Sequence, residues 1–259
     1  MRGIGLGLGR HRNQPHGGGP PPFDPSQLSG LVAWYAADDA NIVLNGSNVS
    51  TWPNKVTSTG LAAAQGTAAK QPAFVASGQN GKPVVRFNAA SQQTLITSGN
   101  FPLTGNLTTT VFTAVSPASN TSNTGIWGWG STAVAAGEFG FYSSVQLVGE
   151  AELQHAGGNP CRFGAGTYTA GAQLFTITKS PGAVNTTTAM RRNGVALTNQ
   201  ATSSANTLAI ASGALYLGSW SGGAYLSGDL MAVIVYNRVL NASEITQVEG
   251  YINGKWALY

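Results

Sequence analysis

The chain has 259 residues, of which 42% are hydrophobic and only 8% charged, with a net charge of +4. So small a surplus, part of it carried by Arg2, Arg10 and Arg12 before residue 28, excludes a broad basic surface for nucleic acid. Cys161 is the only cysteine, so no intrachain disulfide forms, and no apolar run is long enough for a membrane-spanning helix.

Residues 1–27 stand apart from the rest. Seven glycines and five prolines fall in this stretch, which leaves too few large side chains for a core of its own. "IGLGLG" is too short for a signal-peptide core and is closed by Arg10 and Arg12, so export through the Sec route is not expected. The glycine-alternating half is expected to be flexible, and "GPPPFDP" extended and stiff. Such an arm cannot tie itself down by apolar burial. It is expected to be held by another protein, with Ile4, Leu6 and Leu8 plugging small pockets and Arg2, Arg10 and Arg12 meeting acidic groups.

From Leu28 onward the pattern is of strands. "LVAWYA" (31–36), "PVVRF" (83–87), "LTTTVFTAV" (107–115), "GIWGW" (125–129), "EFGFY" (138–142), "LFTIT" (174–178), "TAMRR" (188–192), "ALYLGSW" (214–220) and "DLMAVIVY" (229–236) are short and rich in β-branched and aromatic residues. Asn193-Gly194 predicts a type I′ hairpin. "LMAVIVY", apolar on both faces, belongs in the middle of the stack. One amphipathic helix follows, with Asn241 as N-cap, Glu244 completing a capping box, and Asn253-Gly254 at its end. It is expected on the edge of the sandwich, shielding strand ends. Many short strands with no alternating helices predict an all-β, two-sheet antiparallel jelly-roll sandwich, with that helix and the N-terminal arm appended.

"SGLVAWYAADD", "VSTWPNKV", "AKQPAFVASGQNGKPVVRFN" and "GDLMAVIVYNRVLNASEITQVEGYINGKW" resemble the concanavalin A-like lectin/glucanase superfamily, in the laminin-G-like form found in bacterial and phage surface proteins. The resemblance spans residues 28–259 as one domain. It implies a concave sheet whose face or rim binds glycans. It also raises calcium, but the stretch "RFNAASQQTLI" lacks the acidic residues that relatives carry there. Asp38 and Asp39, if adjacent in a strand, point to opposite faces. No cofactor is therefore expected.

Trp127 and Trp129 share one strand face, and Trp220 and Tyr225 flank a Gly-rich loop. Any of the four can stack on a sugar, and any can instead pack between the sheets. Trp220 and Tyr225 are the better exposed candidates, while Trp34, Trp52 and Trp256 are assigned to packing. Glu150 and Glu152 are the only acid pair at the spacing a retaining glycanase uses, but the third acid of the glucanase motif is missing. A solvated strand face or turn is the competing reading. His11, His16 and His155 are scattered, and Cys161 reads as a buried structural thiol.

These features lead to a non-enzymatic structural protein of a tailed-phage virion: a capsid decoration, head fibre or tail-associated adhesin. It is expected to assemble in the host cytoplasm, to join capsid or tail proteins through its arm, to form a homo-oligomer with a trimer as first guess, and to show a glycan-binding jelly roll at the virion surface. A polysaccharide-degrading enzyme and a bacterial surface lectin are the alternatives.

Overall fold

The computed structural model describes residues 22–133, 135–143, 148–154, 160–200, 203 and 205–259. All strand pairings are antiparallel and fall into two layers. Sheet one is built on β19 (Gly228–Tyr236), the strand that is apolar on both faces. One edge of β19 carries β1 (Leu31–Ala36) and, at its start, β6 (Lys82–Phe87) with its partner β5 (Ala73–Gln79). The other edge pairs with β8 (Thr109–Pro117), followed by β13 (Gln173–Lys179), β14 (Thr188–Arg192) and β15 (Val195–Ala196).

Sheet two runs from β2 (Val43–Asn45) through β3 (Asn48–Trp52), β4 (Ala63–Ala64), β7 (Leu95–Asn100) and β16 (Ala214–Leu217). It continues through β9 (Thr124–Gly130), β10 (Glu138–Ser143), β11 (Ala151–Gln154) and β12 (Cys161–Phe163). A single register pair, Asn48 opposite Ala73, joins the two layers. A small hairpin of β17 (Ser219–Trp220) and β18 (Gly223–Tyr225) stands outside both. This is the expected two-sheet antiparallel sandwich.

The alternation of side chains explains the layering. Val111 and Val115 of β8, Phe175 and Ile177 of β13, and Val233 and Val235 of β19 face sheet two and meet Trp127, Trp129, Phe139 and Phe141 in one core. The intervening residues Phe112, Ala114, Leu174, Met231 and Ile234 face the other way, into a second core.

That second core corrects the expected position of the helix. The short turn α1 (Val184–Thr187) lies in a loop, whereas α2 (Ala242–Trp256) lies flat on the outer face of sheet one. It buries Ile245, Val248, Ile252 and Trp256 there rather than shielding strand ends. The apolar outer face of β8, β13 and β19 demands such a cover; burying each large side chain contributes about 1.5–3 kcal/mol. The capping box forms as the sequence predicts: Glu244 N donates to Asn241 Oδ1 at 3.0 Å, and Asn241 N donates to Glu244 Oε2 at 2.9 Å. The helix runs past Asn253-Gly254 to Trp256 and ends at Ala257 in the left-handed region. Glu249, buried on the helix, accepts from Thr176 Oγ1 at 2.7 Å and Arg191 Nε at 2.9 Å, pinning α2 to β13 and β14.

Asn193 and Gly194 both have positive φ and form the two-residue turn between β14 and β15. At the other end of the chain, Phe23 packs edge-on to Tyr251, and buried Pro25 accepts a 2.9 Å bond from Tyr236 Oη. The last residues assigned to the arm are thus docked on the body. Arg2, Ile4, Leu6, Leu8, Arg10 and Arg12 lie outside the described residues, as do His11, His16 and His155. No helix among the described residues is long and apolar enough to cross a membrane.

Candidate glycan-binding face

Sheet one is covered on both faces, by sheet two and by α2. Sheet two has a second face opposite the core, and the aromatic hairpin folds onto that face. The reason lies in three glycines. Gly128 sits between Trp127 and Trp129 on β9, and Gly140 between Phe139 and Phe141 on β10; the two glycines are register partners. The four flanking aromatics point into the core, so the glycines leave a bare strip of backbone on the outer side. Trp220 lies on that strip: a Cβ added at either Gly128 or Gly140 would come within 2.7 Å of its Cδ1. Further along β9, a Cβ at Gly125 would come within 2.4 Å of Trp220 N and Ala224 O, so the hairpin backbone rests there as well.

The Trp220 ring stacks on Tyr142, with centroids 5.8 Å apart and planes inclined by 5°. Tyr142 is buried beneath it, and Trp220 itself is half-buried. Tyr225, in the hairpin, and Tyr216, beside it on β16, are also half-buried, and Tyr225 Oη closes the hairpin by donating to Gly222 O. Polar groups extend the row across β10, β11 and β12. Tyr142 Oη donates to Glu152 Oε1 at 2.6 Å, and Arg162 Nε donates to Glu152 Oε2 at 3.2 Å. Gln200 Nε2 donates to Glu150 Oε1 at 2.8 Å. At the other end lies Glu138, where burial raises the pKa and the nearby Ser221 side chain of the hairpin partly opposes this. Glu138 Oε2, Glu150 Oε2 and Trp220 Nε1 are buried with no hydrogen-bond partner among the described residues.

The structure separates the four aromatic candidates. Trp220 and Tyr225 are together on the outer face. Trp127 and Trp129 are corrected: they are 0% and 2% exposed, stack on each other at 5.2 Å, and spend their indole N–H groups inside, on Thr113 Oγ1 and Leu103 O. They have no surface to offer a sugar, because the glycine side of each strand faces out. Trp34, Trp52 and Trp256 are buried, as assigned.

Glu150 and Glu152 are also corrected. Neither lies on a solvated face; both are buried at about 1% exposure or less, and each has a committed partner. Cys161 is buried on the core side, and burial pushes its thiol up to about 11. Asp38 and Asp39 follow β1 in a turn instead of sharing a strand. Asp38 pairs with Lys255 at 2.8 Å, and Asp39 accepts from the Asn41 backbone at 2.9 Å.

Sequence reasoning missed Tyr142, Glu138, Tyr216 and Arg162. The repeated aromatic-Gly-aromatic pattern in "WGW" and "FGF" carried the signal, since a glycine inside a strand marks close approach by another group. Three surface hollows of ≈ 410, ≈ 560 and ≈ 580 Å³ lie elsewhere. One is walled by the Arg86–Asp229 ion pair and one is floored by Trp34 under Lys55; none includes Trp220, Tyr225 or Tyr142.

No protein-family model matches the chain, and no curated protein does. Solved structures do. Domain 4 of a GH43 extracellular arabinanase from Geobacillus stearothermophilus, determined with arabinotriose, aligns with a TM-score of 0.58 at 16% identity, covering 85% of this chain and 98% of that one. The Trypanosoma rangeli sialidase with the inhibitor DANA aligns with a TM-score of 0.54 at 15% identity, over 88% of this chain. The match spans only 34% of the sialidase chain. At such identities the likeness establishes the fold: this chain is a two-sheet antiparallel β-sandwich.

Proposed function

We propose that this protein is a non-catalytic, carbohydrate-binding β-sandwich. The observation that carries the reading is the half-buried Trp220 ring, its Cδ1 edge resting on Gly128 and Gly140 and its face stacked on Tyr142, with Tyr216 and Tyr225 on neighbouring strands. A sugar stacks its apolar face on such a ring and gives its hydroxyls to nearby polar groups. The arabinanase domain of similar fold was solved with arabinotriose, which makes saccharides the first ligands to try. The burial and pairing of Glu150 and Glu152 support binding over hydrolysis.

The wider role we propose is that of a tailed-phage virion protein displayed at the particle surface after assembly in the host cytoplasm. Residues 1–21 would join capsid or tail proteins, and copies would associate, a trimer being the first arrangement to test. Weak sites for a host surface glycan then gain strength from copy number. The support is the sequence itself: a Gly/Pro-rich start beside a body with one cysteine and little charge.

Affinity electrophoresis through gels containing arabinan or host-envelope polysaccharide tests the binding. Retardation that disappears in Trp220→Ala, with no release of reducing sugar, is expected. Unretarded migration in every polysaccharide overturns the glycan reading, and cleavage lost in Glu152→Gln overturns the non-catalytic one. For the virion role, deletion of residues 1–21 should leave a folded body that no longer joins particles; normal incorporation overturns the anchoring.

A further inference from the structure

We infer that the Trp220 face discriminates by charge: it accepts neutral or amino-bearing saccharides and rejects uronic and sialic acids. The inference rests on the glycan-binding reading and sharpens it. Three observations converge.

The first is where the cations are. Neither residues 87–161 nor residues 193–237, which supply β7, β16, β9, β10, β11 and the hairpin, contain a lysine or an arginine. β12 adds one, Arg162. The second is that Arg162 already faces an acid of its own: its Nε lies 3.2 Å from Glu152 Oε2, and its side chain is only 12% exposed. A sugar carboxylate is normally gripped by a free guanidinium fork or ammonium. Among the described residues of these strands and the hairpin no second cation is present to supply one.

The third is the sign of what remains. Glu138 and Glu150 are 2% and 1% exposed, and each has one carboxylate oxygen without a partner among the described residues. When ionised, these carboxylates are weakly screened and add negative, not positive, potential on the Gly140–Tyr142 side of the sheet. An unpaired like charge is an effective way to turn a ligand away, because its cost falls on the wrong partner alone. The hydroxyls of a neutral sugar and the ammonium of an amino sugar offer only donors or positive charge to such a field.

Two measurements on the full chain test this. The first titrates matched saccharide pairs: lactose against sialyllactose, xylo-oligosaccharides with and without glucuronic acid, and a chitosan oligomer. Neutral and amino members are expected to bind about tenfold or more tightly than their acidic partners at low salt, the gap narrowing as salt rises. Equal or tighter binding of the acidic members overturns the inference while leaving glycan binding intact. Failure of every saccharide overturns the glycan reading, and this inference with it.

The second needs no sugar. Trp220 is the one tryptophan of the six that is not buried, so collisional quenching of fluorescence reports on its surroundings. Relative to free tryptophan amide, caesium should quench it more efficiently than iodide, and Glu138→Gln with Glu150→Gln should narrow the difference. Iodide quenching equal to or above caesium quenching in the unaltered protein overturns the inference.

Discussion

Trp220 and Tyr142 lie in parallel planes, 5° apart, yet belong to different parts of the chain: a surface hairpin and the strand β10. The contact exists because Gly128 and Gly140 leave room for the indole. Space made by one pair of residues for another has a measurable signature.

Gly128→Ala places a methyl 2.7 Å from Trp220 Cδ1, with no other heavy atom closer than 3.5 Å. The hairpin must lift. Urea unfolding is expected to show a loss of about 1–3 kcal/mol, as for other overpacked sites. In a Trp220→Ala background the same substitution should cost almost nothing, leaving a coupling of about 1 kcal/mol or more in the double-mutant cycle. Simple additivity would mean that the ring does not rest on Gly128.

Glu249 joins α2 to β13 and β14 through Thr176 and Arg191. Glu249→Ala should destabilise the protein by about 2–3 kcal/mol, since it strands a buried hydroxyl and a half-buried guanidinium. Glu249→Gln keeps an acceptor for Thr176 and should cost less. An alanine variant as stable as the parent in urea would show that α2 is held by apolar contact alone.

The capping carboxylate gives a pH signature. The Arg238 guanidinium, bound at 2.7 and 2.9 Å, and the Asn241 backbone N–H lower the Glu244 pKa to about 2. A carboxylate depressed by folding stabilises fully above its unfolded pKa of ~4.3, and that stability is lost as pH falls toward the folded value. The stability difference between the parent and Glu244→Gln should therefore be constant near neutrality and shrink between pH 5 and pH 2. Chemical unfolding at stepped pH values measures it; a difference that does not change across this window contradicts the pairing.

Much of the sandwich was legible because its signals are local. β1 and β14 have the bounds that their sequences suggest, and the cap of α2 is spelled out by Asn241 and Glu244. Asn193-Gly194 formed its turn, and Asn80-Gly81, an equally plain signal with both φ positive, marks the β5–β6 hairpin that the strand reading passed over. What was hidden depends on partners distant in sequence. "LMAVIVY" says that both faces of β19 are covered but not that α2 covers one of them. Trp127 and Trp129 share a face, yet nothing in "GIWGW" says whether that face or the glycine face turns inward. Glu150 looks solvated until Gln200, fifty residues away, reaches it.

The helix on sheet one also settles how the domain can change over time. With α2 sealing the back and the core filling the middle, nearly all of the apolar free energy resides away from the outer strip of sheet two. Substitutions in the seven-residue hairpin from Ser219 to Tyr225 alter what is shown outward while leaving the inward residues of β9 and β10 in place. The proposed binding surface and the core are thus written on alternate residues of the same strands. A lineage under pressure to meet new surfaces can revise one set without endangering the other, provided that the two glycines beneath the hairpin stay glycines.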